Sequence, residues 1–279
     1  MKEKLKRYAA HIIVSCCLLA LLGFFAVSCM PPATYMRMPE SMITYKFTGF
    51  DIPETKPPYS VPFTIAVVEP QYKEQIHPFY SRVIKSFSNS VGMGLDQTIV
   101  AKGMTSKGPY GSLDEVPYPD KTSSNLTLTE TVYIQPVERE DTNAVDQYYT
   151  GKNGETVLCA VKSGKLTVDI WISFEMREPL SAEKMWIKKL ELGTLERKYQ
   201  IGVQKYWVQT SSDPWAGNQG EWRYGEVMFN TKADALAGIV NEVYPKIMNS
   251  AWVYLNTDEL TRLDDKVKEI RTRLSAPLR

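Results

Sequence analysis

The sequence predicts an α+β fold: a mixed, largely antiparallel sheet with one long amphipathic helix after the second strand and further helices at the C-terminus. Three observations predict it. Several segments alternate apolar and polar residues with the period of two that half-buried strands show. A segment from about 72 to 102 repeats apolar residues at three- and four-residue spacing, which is typical of an amphipathic helix. Residues 231–255 repeat this helical spacing, and a charged segment follows them to about residue 274.

The N-terminal elements are two strands and the long helix. Residues 43–47 alternate with period two and predict an edge strand, and residues 63–69 form a denser apolar run that suits a central strand. The apolar stripe of the helix at 72–102 is expected to pack on the sheet as core. Gly103 is expected to end this helix.

The middle of the chain predicts an antiparallel meander. After a turn-rich stretch, residues 126–134 alternate as a strand, and the later dipeptide Asn153-Gly154 signals a hairpin. Tight turns at Ser163-Gly164 and at 178–183 are expected to separate the strands that follow. These predicted strands are 155–161, 165–176, 184–191 and 199–209.

The last predicted helix begins after the cap-like residues 256–259 and ends near residue 274. Acidic and basic residues alternate along it. This pattern predicts a solvated surface element.

The N-terminus has the three parts of a secretion signal. Basic residues at positions 2, 4, 6 and 7 precede an apolar run from 12 to 27, and small residues then lead to Cys29. Together these parts predict a cleavable signal peptide. The apolar run is slightly short for a membrane span, which needs about 20 apolar residues.

The tetrapeptide Ala26-Val27-Ser28-Cys29 resembles the lipobox of bacterial lipoproteins. The resemblance implies that Ser28 is the last residue removed and that Cys29 becomes the acylated N-terminus, carrying palmitate or a similar chain. Ala26 stands where leucine is usual, so an ordinary signal peptide or an uncleaved anchor stays open. No aspartate follows the cysteine, and in a Gram-negative organism this favours the outer membrane, with the domain on the periplasmic or the surface side.

The chain is therefore divided into three parts. Residues 1–28 are the signal peptide, residues 29–62 are a lipidated tether that contains seven prolines and the edge strand, and residues 63–279 are a single α+β domain. The tether is expected to lift the domain off the membrane.

Composition argues against an enzyme. His77 is the only histidine after processing, and Cys159 lies in an apolar strand-like run that predicts a buried, inert thiol. The acidic groups at 138–141 and 264–265 are interpreted as solvated charge, and no phosphate-binding or dinucleotide motif is present. No catalytic residue, metal site or cofactor is expected. A formal net charge of +1 does not suggest a nucleic-acid partner.

Three local matches resemble the neuraminyllactose-binding haemagglutinin family of lipoproteins. The lipoprotein cysteine precedes an extended segment and an early strand, and Glu-Pro-Leu-Ser-Ala-Glu at 178–183 is similar to the family's Glu-Pro-Met-Ser-Gly-Glu turn. Residues 234–249 are similar to its closing helix. The resemblance spans 29–274 and implies an adhesin-type lipoprotein. However, the family's basic Lys-Arg-Thr-Ile-Gln-Lys segment is replaced at 137–142 by an acidic one, so sialic acid binding is not carried over.

An aromatic cluster near the C-terminal third is the candidate binding site. Its members are Tyr206, Trp207, Trp215, Trp222 and Tyr224, with Arg223 among them. Aromatic faces stack on sugar rings while polar neighbours bind hydroxyl groups, so a glycan is one candidate ligand. The alternatives are that these rings close one end of the core or form a subunit contact.

Two functions follow from these observations. The first is an outer-membrane-anchored lipoprotein with a non-catalytic binding role, either an adhesin or a ligand-binding module. The second is a structural subunit of a cell-envelope protein assembly. The expected partners are the membrane, through the lipid on Cys29, and a glycan or an envelope protein.

Overall fold

The computed structural model describes residues 36–39, 45–53, 60–73, 77–151, 153–210 and 219–275. Within them, eight strands form one mixed sheet and four α-helices accompany it, which confirms the predicted α+β class. The strands are β1 (Met36–Arg37), β2 (Thr64–Val68), β3 (Gln71–Tyr72), β4 (Thr105–Tyr110), β5 (Leu126–Thr150), β6 (Thr156–Arg177), β7 (Lys184–Gln209) and β8 (Gly220–Asn230). The helices are α1 (Ser81–Ala101), α2 (Tyr118–Ser123), α3 (Lys232–Tyr254) and α4 (Thr257–Ser275).

Strand pairing makes the sheet mixed. The main order is β4-β2-β5-β6-β7-β8, and β1 and β3 also pair with β5. The strands β1 to β4 pair in parallel, whereas β5 to β8 form an antiparallel meander. The three long strands of this meander have 25, 22 and 26 residues.

The N-terminal predictions hold in part. The central strand is confirmed as β2, which is buried between β4 and β5. The long helix begins at Ser81, later than predicted, because residues 71–72 pair as β3 and Pro78 starts a short 3₁₀ turn before it. Gly103 has a positive φ of 80° just after the helix, as the predicted stop requires.

The predicted edge strand at 43–47 is wrong for its described residues. Tyr45 and Phe47 are buried, but residues 45–50 form no strand; residues 43 and 44 lie outside the described part. The Tyr45 hydroxyl donates to Asp234 Oδ1 at 3.5 Å, and the Phe47 ring meets Phe87 edge to face at 5.5 Å. Apolar and polar residues alternate in this segment because one side of it packs against α3 and α1. Its apolar side chains are buried there without the hydrogen bonds that join paired strands.

Two of the predicted strand divisions are also wrong. Ser163-Gly164 lies inside the continuous strand β6, and the separate segments 184–191 and 199–209 are both parts of β7. Gly164 faces Tyr199 on β7, whose ring occupies the space where a side chain on Gly164 would lie. The glycine therefore accommodates a cross-strand aromatic ring and does not turn the chain. The predicted hairpin after β5 and the turn at 178–183 are confirmed.

The main core lies between one face of the sheet and the helices α1, α3 and α4. Alternate residues of β5 and β6, such as Leu128 and Ile172, share this core with Phe87 of α1 and Ile239 of α3, and all are fully or nearly fully buried. The prediction that α4 is a solvated element is wrong. Its buried side chains recur at spacings of three and four residues and are Leu260, Leu263, Val267 and Ile270.

One carboxyl group lies within this core. Glu130 lies between Leu128 and Val132 on the helix-facing side of β5, opposite Phe174 of β6, and its side chain is fully buried. Neither of its carboxyl oxygens has a hydrogen-bond partner among the described residues. Burial raises the pKa of Glu130 well above its usual range, because the charged form would lose its hydration in the core.

A buried ion pair fixes the turn between β6 and β7. The Glu178 carboxylate is fully buried and accepts from the backbone N–H groups of Leu180 and Ser181 at 2.8 and 2.6 Å. Its other oxygen accepts from Arg271 Nε of α4 at 3.0 Å. The same guanidinium also donates to the Ser124 carbonyl oxygen at 2.7 Å, just before β5. The pair therefore joins the turn, the last helix and the start of β5.

The distal part of the meander extends beyond the main core, which ends at Leu166 on β6 and Ile201 on β7. We call this extension the arm. It comprises residues 137–150, 156–163, 202–209 and 220–229. A small second core of Tyr149, Val157, Cys159, Val161 and Phe229 lies on the arm, and Met38 packs against it. Met36 and Arg37 pair with Tyr149 and Thr150 at the outer end of the arm.

Candidate functional site

The strand register decides which of the predicted site residues share a face of the arm. Trp207 opposes Trp222, Lys205 opposes Tyr224, and Tyr206 opposes Arg223. Directly opposed residues of an antiparallel pair project to the same face, and neighbouring residues project to opposite faces. The structure therefore brings Trp207, Trp222 and Tyr224 together. Arg223 lies on the opposite face, and Trp215 lies outside the described residues.

The two indoles pack against each other without becoming buried. Their ring centroids are 5.3 Å apart at an interplanar angle of 71°, and the residues remain 45% and 49% exposed. Gly220 makes room for this arrangement, because the Trp207 ring occupies the space of a side chain there. Tyr224, two residues along β8 from Trp222, is 65% exposed.

Lys205 is a member of this site that the sequence reasoning missed. Its Nζ lies 5.2 Å from the centroid of the Trp222 ring and forms an ion pair with Asp146 of β5. Lys205 is two residues before Trp207, and residues two apart on a strand project to the same face, so the sequence could have indicated Lys205. Asp146 could not be found this way, because its position depends on the register of three strands. We call Lys205, Trp207, Trp222 and Tyr224 the aromatic surface.

Arg223 does not contribute its charge to the aromatic surface. It lies on the other face with Tyr206, and its guanidinium pairs with Glu221 at 2.6 Å. Both partners of this pair are more than half exposed, so the pair contributes little to stability.

A second aromatic pair lies on the sheet face opposite the helices. The rings of Tyr133 and Trp171 oppose each other across β5 and β6 and stack at 5.4 Å. Lys73 and Lys189 place their Nζ atoms 5.4 and 4.8 Å from the Trp171 ring. Sequence reasoning missed this cluster because its members come from four separate strand regions. Lys189 is also paired with Glu191 at 2.8 Å.

The residues considered for catalysis have structural surroundings. His77 Nδ1 accepts a hydrogen bond from the Phe79 N–H at 3.2 Å and caps the 3₁₀ turn. Cys159 is fully buried on the arm, and burial raises the pKa of its thiol. No group of three or more metal-binding side chains occurs in the described ranges.

Two acidic groups interpreted as solvated charge are in fact engaged. Glu138 accepts from the Tyr80 hydroxyl at 2.6 Å and pairs with Lys232. Burial opposes its ionisation, but these hydrogen bonds outweigh burial and lower the pKa of Glu138. Asp264 accepts from Asn125 Nδ2 at 2.7 Å and pairs with Lys268. Both carboxylates hold helices to the sheet.

Cys29, the predicted lipidation site, lies outside the described residues. Among the helices that the structure describes, none combines the length and the apolar character that crossing a bilayer requires.

No protein-family model matches the chain, and no curated protein matches it. Solved structures give distant likenesses. A neuraminyllactose-binding hemagglutinin homolog from Helicobacter pylori is 13% identical with a TM-score of 0.46, over 80% of this chain and 97% of its own. A PelC dodecamer from Paraburkholderia phytofirmans is 15% identical with a TM-score of 0.23, over 51% of this chain and 78% of its own.

The rare lipoprotein B from Shewanella oneidensis is 8% identical with a TM-score of 0.24, over 70% of this chain and 97% of its own. The structural neighbours thus include a hemagglutinin homolog and lipoproteins. Likenesses at these identities and scores assign no function to this chain.

Proposed function

We propose that this chain is a lipid-anchored lipoprotein of the cell envelope with a non-catalytic binding role, and that the aromatic surface of the arm is its contact site. The observation that carries the proposal is the exposed pair of Trp207 and Trp222. Contiguous exposed apolar surface marks interaction sites, whereas isolated exposed apolar residues are normal, and these two rings are in contact with each other. The signal sequence that ends at Cys29 supports the location.

In this proposal, residues 1–28 are removed, the lipid on Cys29 anchors the chain in the outer membrane, and residues 29–62 connect it to the domain at 63–279. The acidic segment at 137–142 is part of β5, and Glu138 and Glu140 both pair with Lys232. Sialic acid binding is therefore no part of the proposal. In the adhesin form of this role, a glycan would lie on the aromatic surface.

Replacement of Cys29 by serine tests the anchor. Cells grown with an alkyne palmitate analogue are expected to label the wild-type protein and not Cys29→Ser, because a hydroxyl group cannot take the thioether-linked lipid. Click-labelled protein on a gel provides the readout. Cys159→Ser serves as the matched control. It is expected to keep its label, because Cys29 is unchanged and the Cys159 thiol is buried on the arm. Unlabelled wild-type protein contradicts the proposed location.

The second candidate function, a structural subunit of an envelope assembly, is favoured by one feature. β8 is the outer strand of the described sheet, and its residues 221–227 are exposed. An uncovered edge strand of this kind can pair with another chain. The detergent-extracted protein is expected to have the mass of a monomer if the binding role is correct. A large complex that dissociates in Val227→Pro, a change that disfavours strand pairing at β8, would favour the assembly instead.

A further inference from the structure

We propose that the aromatic surface lies in the interfacial region of the same bilayer that holds Cys29, so that its ligand is a lipid surface. This inference rests on the anchoring proposed above and names the partner of the site.

The first step is the length of chain between the anchor and the fold. Met36 pairs with Tyr149 at the outer end of the arm, and it lies only seven positions after Cys29. A fully extended chain of this length spans at most about 25 Å. The membrane surface therefore lies within that distance of the end of the arm.

The second step is that the aromatic surface lies at this same end. Along the sheet, β1 pairs with β5, and β6, β7 and β8 follow in order. Neighbouring strands lie about 4.8 Å apart, so β8 is about 20 Å from β1. Cys159 of β6 opposes Gln147 of β5 and Gln204 of β7, so these three residues lie at one level. Three residues further toward the end of the arm, β5 reaches Thr150, the partner of Arg37, and β7 reaches Trp207, which opposes Trp222.

The third step is that the helical core lies at the other end. β5 runs for 25 residues from the core to the end of the arm, a length of about 80 Å at most. The Tyr254 ring at the end of α3 packs on Phe174 of β6. Phe174 is 17 positions along β6 from Val157, which lies at the outer end of the arm. The short connection to Cys29 therefore holds the arm near the membrane and the helices away from it.

The chemistry of the surface suits this position. Tryptophan and tyrosine concentrate at membrane–water interfaces, because their rings partition into the apolar side while the N–H or O–H group stays hydrated. Trp207, Trp222 and Tyr224 present such rings on one face of the arm. Lys205 lies beside Trp222 but is paired with Asp146 and little exposed, so the rings and not its charge make the proposed contact with lipid.

The test uses the mature acylated protein, residues 29–279, which no longer carries Cys16 and Cys17, reconstituted into vesicles of phosphatidylethanolamine and phosphatidylglycerol with brominated acyl chains. Cys29 is then blocked by lipid and Cys159 is buried, so a fluorophore attaches only to an introduced cysteine. Tyr224→Cys places it on the aromatic surface, and Val253→Cys, at a position 67% exposed near the end of α3, places it at the far end.

Bromine is expected to quench the label at position 224 and to leave the label at position 253 unchanged. Adding Trp207→Ala and Trp222→Ala is expected to remove most of the quenching at 224. In the same preparations, mass spectrometry reads the acylation of Cys29. An acylated protein whose label at 224 is not quenched overturns this inference and leaves the anchor in place, whereas an unacylated wild-type protein overturns both. Specific glycan-array binding that both tryptophan changes abolish would also overturn it, in favour of an adhesin.

Discussion

Replacing Arg271 by alanine is expected to lower the free energy of unfolding by about 3 kcal/mol, the lower end of the cost of breaking a buried ion pair. The Glu178 carboxylate is fully buried and would lose its cation, and the carbonyl oxygen of Ser124 would lose a donor. The lower end applies because the Arg271 side chain is 30% exposed, so water can partly replace it. Denaturant unfolding followed by circular dichroism measures the change.

Arg273 is the matched control. It lies two residues away on the same helix, is 62% exposed, and approaches Glu183 only to 3.9 Å. Arg273→Ala is therefore expected to change the free energy of unfolding by less than about 0.5 kcal/mol. Equal losses in the two variants would show that the last helix responds to any lost arginine and that the Glu178 pair has no special role.

Replacing Glu130 by methionine is expected to stabilise the protein at neutral pH and to remove part of its pH dependence. The pKa of Glu130 is raised in the folded state, so the unfolded chain releases this proton at a lower pH than the folded protein. Below the unfolded pKa, near 4.5, both states are protonated and the group costs nothing through ionisation. As the pH rises above that value, stability falls by up to about 1.4 kcal/mol per pH unit, until the folded group ionises.

The measurement is the difference between wild type and Glu130→Met at pH 5 and at pH 7.5. This difference is expected to grow with pH in favour of the variant, and other carboxylates cancel from it. Glu130→Gln keeps the shape of the side chain and cannot ionise, so it tests the effect of the charge separately. Glu226→Gln, at an exposed residue of β8, is the control, and its stability difference from wild type is not expected to grow with pH. A difference that is constant with pH would mean that Glu130 does not stay protonated in the folded protein.

The sequence predicted the fold class because its strongest patterns belong to elements with one buried face, such as β2, α1 and α3. The second half of β5 was not predicted as a strand. Residues 137–146 are exposed on both faces and carry no apolar alternation, and they are extended because β6 pairs with them. Similarly, the charges on α4 hid a buried stripe that includes Leu260 and Val267, which only the position of the sheet reveals.

The candidate site was predicted by residue type but not by geometry. The clustering of Trp207, Trp222 and Tyr224 was visible in the sequence. Arg223 was grouped with them, although alternation along β8 places it on the opposite face from its neighbours. Asp146, which pairs with Lys205, lies 59 positions away in the chain, and only the strand register brings the two together.

The contact between Tyr45 and Asp234 has a consequence for biogenesis. The two residues are 189 positions apart, and Thr48 donates to Asn241 across 193 positions. Ribosomes make the chain from its N-terminus, so the segment at 45–48 emerges long before the helix that buries it. Contacts of such separation form late because a long loop must close first. A nascent or prematurely terminated chain that lacks α3 will therefore expose Tyr45, Phe47 and the apolar face of the sheet to chaperones and proteases.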